Sequence, residues 1–121
     1  MTTATDPLVE LHAARRNTWN TWVATHAEMK PHDEALRYLG EATTWKQLHE
    51  RSGRFAAALA NRGVGEGDRV MLITLNNPEF IEAVLGINKL GAIAVPVNFR
   101  LTPAELAYLV SDCTPKAVIT D

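Results

Sequence analysis

Three short, mainly apolar runs that alternate with well-marked helices constrain the fold more than any other feature of the sequence. The runs are VMLITL at 70–75, AIAVPV at 92–97 and KAVITD at 116–121. The first run is apolar at almost every position, which is typical of a strand covered on both faces. Strands that alternate with helices pair in parallel through right-handed crossovers. The sequence therefore predicts an α/β fold, with a parallel sheet flanked by helices.

The helix between the first two runs has clear start and stop signals. Asn77 is placed to cap it, and Pro78 suits its first position, where an N–H would have no partner. Gly91 predicts a left-handed stop. Apolar residues recur at helical spacing, and the predicted buried face consists of Phe80, Ile81, Val84, Leu85 and Asn88.

The helix between the last two runs begins with a predicted capping box. Thr102 and Glu105 are three residues apart, so each side chain can bond the backbone N–H of the other. Pro103 takes the first helical position. Pro96, which cannot donate a ladder hydrogen bond, is expected at the end or edge of its strand. The predicted buried stripe of this helix is Leu106, Leu109, Val110 and Cys113.

The first half of the chain predicts two further helices and a hairpin. A helix is expected from Pro7 to Met29, after a flexible tail at 1–6. Runs at 35–40 and 42–45 predict a short hairpin. A second helix is expected to start at a capping box of Thr44 and Gln47 and to stop at Gly63. Its predicted buried face consists of Leu48, Ser52, Phe55, Ala56 and Leu59.

One face of the first helix is rich in aromatic residues. Trp19, Trp22, Val23 and His26 fall at helical spacing. Two interpretations follow: the face packs in the core, with His26 hydrogen-bonded there, or it docks on a membrane or a partner. Core packing is the favoured interpretation, because such stripes most often face the core.

Polar residues follow the strands at the edge where parallel sheets bind ligands. They are Asn76, Asn77, Asn98 and Arg100. Helix capping by Asn77 and a loop-positioning role for Asn98 and Arg100 are favoured over ligand contact, because caps are common at such positions. No catalytic, cofactor-binding or metal-binding residue is assigned.

Two other features imitate functional sites. GVGEG at 63–67 resembles a phosphate loop, but it precedes its strand, so a phosphate would meet no helix N-terminus. Cys113 shares a helix face with apolar residues, which favours burial over catalysis. The histidines lack metal-ligand spacing; they are His12, His26, His32 and His49.

Composition excludes several classes of protein. A net charge of −2 provides no electrostatic basis for binding nucleic acid. No stretch approaches the roughly 20 apolar residues of a membrane span, and the N-terminus lacks the pattern of a secretory signal. The single cysteine fits a reducing compartment. We expect a cytoplasmic location, with peripheral membrane attachment left open.

Several segments resemble the adenylate-forming acyl-CoA synthetases, in their order and spacing. KLGAIAVPVNFRLTPAEL at 89–106 is similar to the family pattern K-x-G-A-x-x-x-P-x-N-x-R-L-x-x-x-E-L. Four other stretches resemble further segments of the family: TTWKQL, RGVGEGDRVMLITLNNPEF, HAEMKPHDEALRY and SDCTPKAVIT. Trp45 and Gln47 are conservative departures. The resemblance extends from about Trp19 to Asp121 and is closest to the fatty acyl-CoA branch.

The resemblance implies a two-step ligase. A carboxylate attacks the α-phosphate of ATP, and the thiol of coenzyme A then displaces AMP. ATP, Mg²⁺ and coenzyme A are implied for the parent enzyme, and none is expected on this chain. The family's phosphate loop, its T-G-D segment and its C-terminal lysine have no counterpart here. Residues 1–121 are thus expected to be the N-terminal part of an AMP-binding domain, truncated before the phosphate loop and inactive alone.

Two other interpretations stay open. The chain could be a non-catalytic interaction module that pairs with a partner, or an unrelated nucleotide-binding domain, against which the missing phosphate loop argues. An unfinished sheet edge is expected at AVIT, 117–120, where only Asp121 adds a charge. The isolated chain is therefore expected to be marginally stable, or to form a homodimer through that edge.

Overall fold

In the computed structural model, the structure describes Pro7 and residues 18–121. The helices are α1 (Trp19–Met29), α2 (Trp45–Asn61), α3 (Pro78–Lys89) and α4 (Pro103–Cys113). The strands are β1 (Glu34–Tyr38), β2 (Glu41–Thr44), β3 (Arg69–Ile73), β4 (Ile93–Pro96) and β5 (Ala117–Thr120). No helix in this part of the chain has the length and apolar character needed to cross a bilayer.

The predicted hairpin and the predicted parallel sheet are both present. β1 and β2 pair antiparallel around a tight turn, in which Leu39 and Gly40 both have positive φ angles of 50° and 83°. Positive φ angles at two consecutive residues are typical of a two-residue hairpin turn, whose twist matches that of the two strands. β3 lies between β4 and β5 and is parallel to both, in the order β4-β3-β5. Pro96 ends the edge strand β4, as predicted.

The predicted helix caps are also present. Thr44 with Gln47, and Thr102 with Glu105, form complete capping boxes. Asn77 accepts a hydrogen bond from the backbone N–H of Phe80 at 3.0 Å and so caps α3. These signals were readable because each bond joins residues only three positions apart.

The start of the first helix was predicted wrongly. Thr18 has an extended backbone and caps α1, so α1 begins at Trp19 and does not continue from Pro7 through this point. The predicted tail at 1–6 and the rest of the predicted helix before Thr18 lie outside the described residues, apart from Pro7.

The core lies between α2, α3 and one face of the sheet. Its buried members are Leu59, Val64, Val70, Leu72, Ala83, Ile87 and Ala92. The predicted face of α2 is correct, although Phe55 is only partly buried. The predicted face of α3 is partly wrong, since Ile81 and Asn88 are exposed whereas Ala83 and Ile87 are buried. α3 packs against both the sheet and α2, so its buried surface is wider than one stripe.

The predicted buried stripe of α4 is wrong as well. No residue of α4 is buried: Leu106, Leu109 and Cys113 are half-buried, and Val110 is exposed. The spacing correctly indicates which side chains share a face of the helix. The described part of the chain supplies too little surface to cover that face.

Candidate functional site

The strand order places a topological switch point between β3 and β5. The chain leaves β3 to form β4 on one side and then returns across β3 to form β5 on the other. In open α/β sheets, ligands bind beyond the carboxyl ends of the two strands that flank such a point. The junction of β3 and β5 is therefore the candidate functional site.

Hydrogen bonds close this junction. The Asp121 carboxylate accepts a hydrogen bond from the backbone N–H of Leu75 at 2.8 Å. Asn77 Nδ2 lies 3.5 Å from the other oxygen of the same carboxylate. The two strand ends are thereby joined, and Asn77 both caps α3 and contacts the residue that follows β5.

A cleft of about 380 Å³ adjoins the junction. It is lined by Phe55, Thr74, Asn77, Glu79, Ala83, Ile119, Thr120 and Asp121. Thr74 Oγ1 is buried there without a hydrogen-bond partner among the described residues. Among the described residues that line it, only Glu79 and Asp121 are charged, and their carboxylates repel phosphate. The cleft does not fit the triphosphate of ATP.

The loop after β4 is organised by its own side chains. Asn98 Oδ1 accepts a hydrogen bond from the backbone N–H of Arg100 at 2.9 Å. The Arg100 guanidinium carbon lies 5.6 Å from the centre of the Phe99 ring, and all three residues are exposed. Asn98 thus holds the turn, and Arg100 lies against an aromatic neighbour.

The glycine-rich segment at 63–67 forms a helix stop and a turn, as predicted. Gly63 has a φ of 85°, the left-handed conformation that ends α2. The Gly65 N–H donates to Asp68 Oδ2 at 2.8 Å, and the Gly67 N–H donates to the Gly91 carbonyl at 3.0 Å. Two of the amides that a phosphate would need are occupied by these bonds.

The histidines that the structure describes do not form a metal site. No group of three or more His, Cys, Asp or Glu residues in the described part of the chain could hold a metal ion. His26 contacts the ring of Trp45, with centroids 4.6 Å apart, while His12 lies outside the described residues. Burial, and then Lys89, lower the pKa of His49, whose Nδ1 is buried without a partner among those residues.

The favoured core packing of Trp19 and Trp22 is wrong. Their exposed fractions are 67% and 55%, and Val23 is the buried residue of α1. Val23 packs with Leu48 and Leu85. Asn20 Nδ2 donates a hydrogen bond of 3.1 Å to the carbonyl oxygen of Leu85. α1 therefore attaches through Val23, the Asn20 amide and the contact of His26 with Trp45. Its tryptophans face outward.

A buried acid escaped the sequence analysis. Glu82 is 8% exposed and forms an ion pair of 3.5 Å with Arg51 across the α2–α3 interface. Burial raises the pKa of Glu82, and the attraction of Arg51 offsets this only in part. No local pattern could reveal a pair that joins two different helices.

Comparisons with known proteins identify the family. The model of the AMP-binding enzyme family matches residues 23–121. The chain is 41% identical over 98 residues to a medium/long-chain-fatty-acid–CoA/3-oxocholest-4-en-26-oate–CoA ligase of Mycobacterium marinum, covering 80% of this chain and 18% of that protein. It is 36% identical over 99 residues to a feruloyl-CoA synthase of an Amycolatopsis species, and this match covers 82% of this chain and 20% of that protein.

Solved structures show the same relationship. A benzoate CoA ligase from Burkholderia xenovorans superposes with a TM-score of 0.80 at 30% identity, covering 86% of this chain and 21% of that one. A Mycobacterium tuberculosis fatty acyl CoA synthetase superposes with a TM-score of 0.78 at 33% identity. This match covers 84% of this chain and 20% of that one. The chain belongs to the AMP-binding, adenylate-forming enzyme family and corresponds to an N-terminal segment of its acyl-CoA ligases. It spans about a fifth of the length of these curated relatives.

Proposed function

We propose that this chain is the N-terminal part of an ATP-dependent acid–CoA ligase that acts on a fatty acid. The parent enzyme would join the acid to AMP, release pyrophosphate and transfer the acyl group to coenzyme A. The observation that carries the proposal is the continuous family match over residues 23–121. The identity of 41% to a fatty-acid ligase supports the choice of acid. A related anthranilate CoA ligase has been solved in complex with anthranoyl-AMP, an acyl-adenylate.

The role of this segment is structural support. The described residues include a carboxylate-lined cleft and an occupied glycine loop, neither of which suits a triphosphate. We therefore place the phosphate loop, the Mg²⁺ site and the acyl pocket in polypeptide beyond residue 121. The segment alone would then have no ligase activity. A cytoplasmic location is part of the same proposal, because the single cysteine of this segment can form no disulfide within it, which suits a reducing compartment.

The first test is the mass of the native protein in its own source, detected with an antibody raised against this chain. A species several times heavier than 13.3 kDa supports the proposal. That species should catalyse ATP–pyrophosphate exchange with fatty acids and less well with benzoate or ferulate. The isolated 121-residue chain should give no exchange. A native species of 13.3 kDa would overturn the proposal in favour of an interaction module.

A further inference from the structure

One small apolar cluster joins the helices α1, α2 and α3. Each helix contributes one buried residue to it: Val23 from α1, Leu48 from α2 and Leu85 from α3. Asn20 Nδ2 donates to the Leu85 carbonyl oxygen, whereas the amide oxygen of Asn20 is buried with no partner in the part of the chain that the structure describes. α1 is therefore attached at a junction where polar atoms leave water without full compensation.

His49 lies at this junction in surroundings that suit only its neutral form. It follows Leu48 on α2 and lines a cavity of about 510 Å³ between α1 and α2. Its Nδ1 is buried, and no described residue forms a hydrogen bond with it. A neutral imidazole needs a donor on only one nitrogen, whereas an imidazolium donates from both. Protonated His49 would therefore bury an N–H that no described residue accepts, which disfavours the protonated form.

The charged groups around His49 act in the same direction on balance. Those that line the cavity or act on the imidazole from α3 are Glu28, His32, Lys46, Glu50 and Lys89. Lys89, in the last turn of α3, is half-buried and repels an imidazolium. The attraction of Glu50 opposes this repulsion but is the smallest of the effects on His49. Glu28, His32 and Lys46 are exposed, so solvent screens their charges.

We propose that His49 makes the attachment of α1 sensitive to acid: when its imidazole takes up a proton, α1 separates more readily from α2 and α3. In the open form the imidazolium is hydrated, so both of its N–H groups have partners and the charge of Lys89 is screened. The inference does not depend on the proposed ligase function, because every contact that carries it lies between Asn20 and Lys89.

The direction of the pH dependence follows from the pKa of His49. Burial first, and then Lys89, lower this pKa in the closed form from its ordinary value of 6.5. Between the lowered pKa and 6.5 the open form binds more protons than the closed form, so the attachment weakens as the pH falls through this window. Above the window His49 is neutral in both forms, and its contribution to the attachment is fully present.

Amide hydrogen exchange of the intact native protein tests the proposal. Exchange is measured for the peptides that cover α1, from about pH 7.5 to about pH 5.5, the range in which histidine changes charge. Each rate is divided by the intrinsic rate of an unfolded peptide at the same pH, so that the ratio reports the population of the open form. The peptides of α4 are the internal control, because α4 contributes no residue to the cluster or to the cavity.

His49→Gln removes the titrating group and keeps a polar side chain. The matched controls are His26→Gln, on α1, and His32→Gln, at an exposed position on the same cavity. We expect the open population of α1 in the wild type to rise as the pH falls, by no more than about tenfold per pH unit, the limit for one proton. This dependence should disappear in His49→Gln and persist in both controls.

Three results would overturn the inference: a wild-type profile without pH dependence, a dependence that persists in His49→Gln, or a dependence that His26→Gln or His32→Gln removes. Lys89→Met provides a test that does not require His49→Gln to fold. Without the repulsion of Lys89, the pKa of His49 is lowered less, so the midpoint of the rise should move to higher pH. An unchanged midpoint would mean that protonation of His49 does not open α1.

Discussion

Arg69 Nε donates a hydrogen bond of 2.8 Å to the carbonyl oxygen of Cys113, 44 positions later in the chain. The same guanidinium donates to Thr114 Oγ1 at 2.8 Å and to the Gly67 carbonyl at 3.1 Å. Thr114 ends α4 in a left-handed conformation, with a φ of 44°. One side chain at the start of β3 therefore satisfies carbonyl groups that the end of a helix leaves free, and it attaches α4 to the sheet.

Replacing Arg69 should release α4. We expect Arg69→Ala to lower the free energy of unfolding by about 1.5–3 kcal/mol, the range for hydrogen bonds to charged groups. Urea denaturation of the isolated chain measures this, and hydrogen exchange should show faster exchange in α4. Arg62→Ala is the control, since Arg62 is an exposed arginine near the end of α2. Equal losses from both variants would contradict a specific role for Arg69.

The contact between α2 and α3 depends on a missing side chain. A Cβ atom on Gly86 would lie 2.9 Å from Phe55 Cβ and 3.0 Å from the Ser52 carbonyl oxygen. Gly86→Ala should therefore lower the free energy of unfolding by about 1–3 kcal/mol, the usual cost of overpacking.

Gly53→Ala is the matched substitution on α2, because a Cβ there meets nothing within 4 Å. Alanine favours the helix over glycine, so this variant should be more stable by about 0.5–1 kcal/mol. The opposite signs of the two changes are measured in one series of urea titrations. A stabilising Gly86→Ala would show that the helices separate at little cost.

Asn77 allows a test of capping against ligand binding. Asparagine and aspartate are similarly good caps and alanine is poor, so Asn77→Asp should retain most of the stability that Asn77→Ala loses, about 1 kcal/mol. The nearby Asp121 carboxylate makes some loss in Asn77→Asp expected, but less than in Asn77→Ala. In the intact enzyme, a capping role predicts unchanged KM values for Asn77→Asp. A large rise in KM with unchanged stability would identify Asn77 as a ligand contact.

Glu82 should make stability depend on pH. Its pKa in the folded chain is raised above the ordinary value, chiefly by burial. Between the ordinary and the raised pKa the folded state holds more protons than the unfolded state, so stability from this group increases as the pH falls through that window and decreases as it rises. Glu82→Gln should be more stable than the wild type at pH 7, because it removes a buried charge that Arg51 only partly compensates.

The advantage of Glu82→Gln should shrink as the pH is lowered towards about 4.5, where the wild-type carboxyl becomes neutral. Denaturant titrations of both proteins from pH 7 to pH 4.5 measure this difference. Glu28→Gln, at an exposed position on α1, should show no such trend. A less stable Glu82→Gln at pH 7 would show that the ion pair outweighs the cost of burial.

Local signals predicted most of the elements, and long-range contacts explain the failures. The capping boxes of Thr44 and Thr102 and the Gly63 stop were readable because their bonds join near neighbours in the sequence. The bond from Asn20 to Leu85 joins residues 65 positions apart and has no local signature. The exposure of Trp19 and of Val110 was missed because helical spacing defines a face, whereas only the surrounding chain determines whether that face is covered.

The candidate site was partly predictable for the same reason. Parallel strands place their carboxyl ends together, so the position of Asn76 and Asn77 at that edge follows from the strand assignment. The carboxylates of Glu79 and Asp121 converge on one cleft only through the strand order, which the sequence does not specify. Their convergence is what makes the cleft unsuitable for phosphate.

The buried members of the main core cluster all fall between Leu59 and Ala92. During synthesis, this segment is made before β4 and β5. At about 5–20 residues per second, residues 93–121 take roughly 1.5–6 s to make. The α2–β3–α3 unit therefore contains every buried residue of the main core cluster before the open edge of the sheet has been made. This order of synthesis would shorten the time for which the exposed strand could pair with a neighbouring nascent chain.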